Sequence, residues 1–169
     1  MALHDRVVTK AGFQLIIKSG SVSNLVKKAM LEGLSEIAVN YTKQVDKNLS
    51  LDDHTLQELR ELGHPYSVDK PEDSIHDDRM IHEQSGELRK SIKSKPPEET
   101  TSRKFTVYIT TNSPYAPYLI YGTSRMRPRR FHEKSYEDIK DKYWEPITER
   151  LKKLNFRMVV GSASATQIG

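Results

Sequence analysis

The sequence predicts an α+β fold: a small, mostly antiparallel sheet packed against a long N-terminal helix and a kinked C-terminal helix. Three observations carry this. Apolar residues recur at three- and four-residue steps from Val22 to Val45, and again from Tyr136 to Leu154. That is the period of a helix with one buried face. Phe105-Thr106-Val107-Tyr108-Ile109-Thr110 alternates apolar and polar residues, the period of a half-buried strand. The length of 169 residues is that of one domain, enough to bury a core without staples.

The chain divides into an N-terminal arm over 1–20, one domain over 21–160 and a small-residue tail over 161–169. In the arm, Phe13-Gln14-Leu15-Ile16-Ile17 is a short apolar run closed by Ser19-Gly20. It reads as a strand or a docking arm. A helix follows over about 22–47, capped by Ser21 or Ser23. Val22, Val26, Ala29, Met30, Gly33, Ile37, Tyr41 and Val45 form its apolar stripe. Gly33 inside that stripe costs about 1 kcal/mol against Ala and points to a close packing contact.

A second, short helix is expected at Asp53–Leu62, capped by Asp52 or Asp53 and ended by Gly63. Residues 64–84 carry Pro65, Pro71 and six acidic residues, and read as one long loop. Strands are expected at 87–94 and 104–111, with Lys95-Pro96-Pro97-Glu98-Glu99 as the unpaired connection. The last helix covers about 131–154, and Pro146 inside it predicts a kink. Phe156-Arg157-Met158-Val159-Val160 reads as a closing strand.

Composition removes several function classes. There are no cysteines, which excludes a disulfide scaffold, a Cys-ligated zinc site and a Cys nucleophile. No apolar run approaches the ~18 residues of a membrane span, so no membrane partner is expected. Met1–Lys10 has no apolar core of the signal-peptide kind. Gly-x-Ser-x-Gly, His-Glu-x-x-His and a phosphate-cradling glycine pattern are all missing. His76-Asp77-Asp78 with His82 offers metal-ligand types, but the six-residue step suits no helical face, and these read as solvated loop residues. No enzyme activity, catalytic residue, cofactor or metal is therefore expected.

The net charge of +4 hides two opposed halves. Residues 1–88 carry 10 Lys+Arg and 15 Asp+Glu, net −5, whereas residues 89–169 carry 17 and 8, net +9. A basic half suits phosphates. Opposed halves also suit a subunit that stacks head to tail on its own copies. The densest basic feature is Arg125-Met126-Arg127-Pro128-Arg129-Arg130, flanked by Tyr115, Tyr118, Tyr121 and Phe131. Arg and Tyr are the types enriched at interface hot spots, so a partner surface is preferred over a DNA-binding patch or a solvated loop.

Three segments together resemble a known family. They are Leu59-Arg60-Glu61-Leu62-Gly63-His64-Pro65-Tyr66, then Ile81-His82-Glu83-Gln84-Ser85-Gly86-Glu87-Leu88-Arg89-Lys90-Ser91-Ile92, then Tyr115-Ala116-Pro117-Tyr118-Leu119-Ile120-Tyr121-Gly122-Thr123-Ser124-Arg125-Met126-Arg127-Pro128-Arg129-Arg130-Phe131. Their order and spacing over about 22–154 resemble the tail-completion (neck, head–tail joining) proteins of long-tailed bacteriophages. Two positions depart from the family pattern. Ile120 stands where an acidic residue is usual, and Arg129-Arg130 separates Pro128 from Phe131.

The resemblance implies a virion structural protein made in the host cytoplasm and placed in the neck. It implies a homo-oligomeric ring, expected to be a hexamer, around the DNA channel. Its partners would be the head connector or adaptor on one side and the tail terminator or tail tube protein on the other. No catalytic residue comes with that family. Tyr118, Tyr121, Arg125, Arg127 and Arg130 are the expected contact residues, with Gly122 allowing a tight turn. The alternatives are a tail terminator of the same neck region and a basic nucleic-acid-binding module.

Overall fold

The computed structural model describes residues 9–16, 23–51, 54–61, 79–101 and 103–154. The elements run β1 (Thr9–Ile16), α1 (Asn24–Asn48), α2 (Leu56–Glu61), α3 (Glu87–Ser91), β2 (Lys93–Ser94), β3 (Glu98–Thr101), β4 (Lys104–Thr111), α4 (Ala116–Tyr121), α5 (Phe131–Ile139) and α6 (Glu145–Lys153). The fold is α+β. The long helix α1 packs against α5, α6 and a four-stranded antiparallel sheet.

Local chemistry explains α1. Ser23 is extended and its hydroxyl accepts from the Val26 amide at 3.4 Å, which satisfies one orphan donor of the first turn. Val26, Met30, Gly33, Ile37, Tyr41 and Val45 are buried, and so are Ala29, Leu34 and Ala38. The stripe is wide because the helix serves both the sheet and the C-terminal helices. Gly33 is the close contact that the sequence suggested. A Cβ there would meet Ile147 Cγ1, and would lie 3.0 Å from the Ile147 Cα.

β4 is the central strand. Phe105, Val107 and Ile109 are fully buried on one face. β1 pairs along one edge, from Thr9↔Thr111 to Ile16↔Lys104. Of the two readings of the early apolar run, residues 9–16 form the strand. β2 and β3 share the other edge of β4.

Several expectations change here. Residues 87–94 are not one strand, since Glu87–Ser91 is a helix and only Lys93–Ser94 pairs. Gly86 at φ +70° turns the chain into that helix, and Leu88 and Ile92 fit a four-residue step as well as a two-residue one. Residues 95–99 are not wholly a connection. Glu98 and Glu99 pair with Thr106 and Phe105 in β3, and Lys95 N–H donates to Tyr108 at 2.7 Å. Pro96 and Pro97 interrupt the pairing only locally, as an edge position allows.

The last helix is two helices. Pro146 lies in the first turn of α6, where its missing N–H is an orphan anyway, so it opens a helix instead of bending one. The short helix α2 is capped from Thr55, and the expected caps Asp52 and Asp53 lie outside the described residues. The Thr55 hydroxyl accepts from Glu58 N–H at 3.2 Å, and the Glu58 carboxylate accepts from Thr55 N–H at 2.6 Å. This reciprocal pair is a capping box. The backbone bond from Thr55 holds the Glu58 carboxyl below its usual range.

The end of the expected polar loop enters the core. Ile81 and His82 are buried. Ile81 N–H donates to Asn48 at 2.9 Å, and Glu83 N–H donates to Leu51 at 3.0 Å. Residues 62–78 lie outside the described residues, and with them His76, Asp77 and Asp78. So do the expected closing strand at 156–160 and the tail at 161–169.

A polar pair ties α1 to α5. The Tyr41 hydroxyl lies 2.7 Å from His132 Nδ1 and 3.2 Å from the His132 carbonyl, across 91 residues. Phe13 meets the Tyr41 ring edge-on at 5.2 Å. Burial pushes the Tyr41 phenol up and pulls His132 down to about 4. Beside it, Asn48 donates to Ser135 at 2.9 Å and to Asp138 at 3.0 Å. Burial pushes the Asp138 carboxyl up, but bonds from Lys134, Asn48 and Gln44 and the Lys134 charge outweigh it and hold it below its usual range.

Two outcomes are expected. Gly33→Ala lowers stability by about 1–3 kcal/mol, because overpacking against Ile147 outweighs a helix-propensity gain of about 1 kcal/mol. A urea midpoint at or above wild type contradicts this packing. The second outcome concerns pH. His132 is neutral in the fold until about pH 4, whereas the unfolded chain takes up the proton near 6.5. The stability contribution is therefore intact above pH 6.5 and is lost as pH falls toward 4, by an amount on the order of 3 kcal/mol. Urea melts across that window should show the loss in wild type and a flatter profile in His132→Gln.

Candidate functional site

The site is built at the C-terminal end of β4. Ser113 N–H donates to the Thr111 hydroxyl at 3.1 Å, and Tyr115 N–H to the Ser113 hydroxyl at 3.4 Å. These bonds turn the chain from β4 into α4. Ala116 and Ile120 face the core, while Tyr115, Tyr118 and Tyr121 are 55%, 57% and 57% exposed. The three-residue step places the tyrosines along the outward side of the helix. Ile120, where the family pattern has an acidic residue, is buried, and a carboxylate there would pay a desolvation cost.

Gly122 ends α4 at φ +72°, with its N–H donating to Tyr118 at 2.9 Å. A Cβ here would sit 2.7 Å from the Met126 carbonyl oxygen and 2.9 Å from Pro128 N. Thr123 and Met126 exchange backbone bonds of 2.9 and 3.3 Å, which leaves Ser124 and Arg125 at the tip of a tight turn. Arg129 N–H then donates to the Leu119 carbonyl at 2.5 Å, and Phe131 starts α5 fully buried.

The arginine cluster is thus split. Arg125 and Arg130 are exposed, Arg127 is half-buried, and Arg129 is 1% exposed. Arg130 faces Glu133 at 3.7 Å. The Arg125 guanidinium has no partner among the described residues. The four arginines therefore do not make one phosphate-binding patch.

A cleft of about 920 Å³ opens beside this turn. One wall comes from Ile81–Arg89 and the other from Tyr115, Tyr118, Leu119, Thr123, Arg125 and Met126, with Leu49 also in the lining. The second and third segments of the sequence pattern, separate in the chain, are the two walls of one groove. Of the expected contact residues, Tyr118 and Arg125 line it. Tyr121, Arg127 and Arg130 do not, and Gly122 acts as the hinge of the turn.

Sequence reasoning missed the role of Ile81, His82, Glu83 and Arg89. Arg89 bonds Glu83 at 2.7 Å and Asp46 at 3.3 Å, which fixes the far wall to α1. The signal available was the apolar Ile81 inside an acidic stretch. Glu83 and Glu87 beside Arg125 give the groove mixed charge.

No group of three or more His, Asp or Glu side chains among the described residues is placed to hold a metal. No helix among them is long and apolar enough to cross a membrane. What the site offers is exposed aromatic area, a presented guanidinium and an apolar groove, the ingredients of a protein contact.

Gly122→Ala tests the turn. The strained backbone and the clash with Met126 and Pro128 predict a loss of about 1–3 kcal/mol. A chemical-denaturation midpoint equal to wild type contradicts the assigned turn. No family model, no curated protein and no solved structure matches the chain.

Proposed function

We propose that this chain is a virion structural protein of the tail-completion class. It joins the tail to the head connector of a long-tailed phage as one subunit of a ring around the DNA channel. It works by surface complementarity and performs no chemistry. The observation that carries this reading is the cleft. The two most family-like segments, residues 81–92 and 115–131, meet there, and the exposed tyrosines and Arg125 stand at the turn where a partner would dock.

The nucleic-acid reading has less support. A phosphate-tracking groove needs several free cations in a row. Here Arg129 is buried, Arg130 faces Glu133, and Glu83 and Glu87 share the groove with Arg125.

Reversing Arg125 and Arg127 to Glu tests the reading in an infection where this chain is the sole copy. The expected result is a folded variant with full heads and finished tails that stay apart. Wild-type infectivity of that variant would sink the site. Tight duplex binding by a monomer, with a steep salt dependence, would favour the nucleic-acid reading instead.

A further inference from the structure

The geometry points to the occupant of the tyrosine–Arg125 face: the α6 side of a second copy of this chain. The inference rests on the ring reading above and names the two faces that meet. The presenting face is α4 with its turn, where three tyrosines stand half-exposed and the Arg125 guanidinium is unpartnered among the described residues. A single free guanidinium beside exposed aromatic rings is an incomplete contact. Its complement needs an apolar floor with carboxylates at the edge.

The chain carries such a surface elsewhere. A groove of about 430 Å³ runs between α1 and the α5–α6 corner. Ile37, Tyr143 and Pro146 form a buried floor, and Glu145 and Glu149 stand exposed at its edge. Other acids near it are already used: Glu36 pairs with Arg150 at 2.7 Å, and Asp138 pairs with Lys134. Glu145 and Glu149 have no ion pair among the described residues. They sit one turn apart on α6, where like charges repel each other. A guanidinium between them relieves that repulsion and donates hydrogen bonds to both carboxylates.

The two faces share no residue. One copy therefore offers its turn to one neighbour and its α6 groove to another. A contact between unlike faces is heterologous, and repetition closes it into a ring or extends it as a filament. The opposed charges also steer the encounter and reject the like-on-like orientation.

Sedimentation of the full chain at rising concentration tests this. Wild type should self-associate. Arg125→Glu alone, and Glu145→Arg with Glu149→Arg together, should each weaken association at least tenfold while keeping the wild-type circular dichroism. An equimolar mixture of the two variants should regain association, because every contact in it again joins opposite charges. A wild type that assembles indifferently to both reversals, or a mixture that does not recover, overturns this contact and leaves the ring reading standing. A wild type that stays monomeric overturns both. Unchanged association with lost duplex-DNA binding in Arg125→Glu assigns the turn to nucleic acid and overturns the proposal. Since the chain has no cysteine, Arg125→Cys mixed with Glu149→Cys gives a second reading. A cross-linked pair is expected, and its absence in an associating mixture contradicts the named faces.

Discussion

The Tyr41–His132 pair is the constraint on which the site depends. It joins the C-terminal half of α1 to the start of α5 across 91 residues, in a place where both rings are buried. The cost of burying both polar groups is offset only if they meet, so the pair admits one relative placement of the two helices. That placement anchors the downstream end of the arginine turn. Gly122 anchors the upstream end. Between them the Thr123–Met126 pair and the Arg129–Leu119 bond shape the turn. Both ends of the turn are thus held by the core.

Charge then acquires a structural meaning. The sequence divides into halves of −5 and +9, and part of that charge is paired within the described residues. Much of the charge is spent internally, in Arg89 with Glu83 and Asp46, in Arg150 with Glu32 and Glu36, and in Lys134 with Asp138. Exposed pairs of this kind contribute little stability each. Among the charges that stay exposed and unpaired in the described residues are Arg125 at the turn and Glu145 and Glu149 on α6. A contact surface needs few such residues when they sit beside apolar area and are held rigidly.

The legible and illegible parts of the fold divide along physical lines. α1 could be read because its signal is local, a repeated stripe and a serine cap. β4 could be read because Phe105, Val107 and Ile109 alternate cleanly. Pro146 could not be placed, since proline either kinks a helix or opens one, and tertiary packing of Tyr143 and Ile147 decides which. Glu98 and Glu99 looked unfit for a strand, yet an edge position pairs one side only and leaves charged side chains in water. At the site, the tyrosines and Arg125 were readable as types enriched at contacts, and Gly122 as the residue of a tight turn. The cleft was not, because its walls are brought together by the Leu51–His82 bridge and by the turn from β4 into α4. Burial of Arg129 was hidden for the same reason: a residue count records charge and not direction.

The central claim is that this fold works as one of several identical subunits at a head–tail junction. Electron microscopy of the neck of assembled particles tests it most directly. The account predicts a closed ring of this α+β fold around the channel, with the Gly122–Arg130 turn of each copy against α6 of the next. Neck density that excludes this fold, or that holds it as isolated copies with the turn facing DNA, contradicts it.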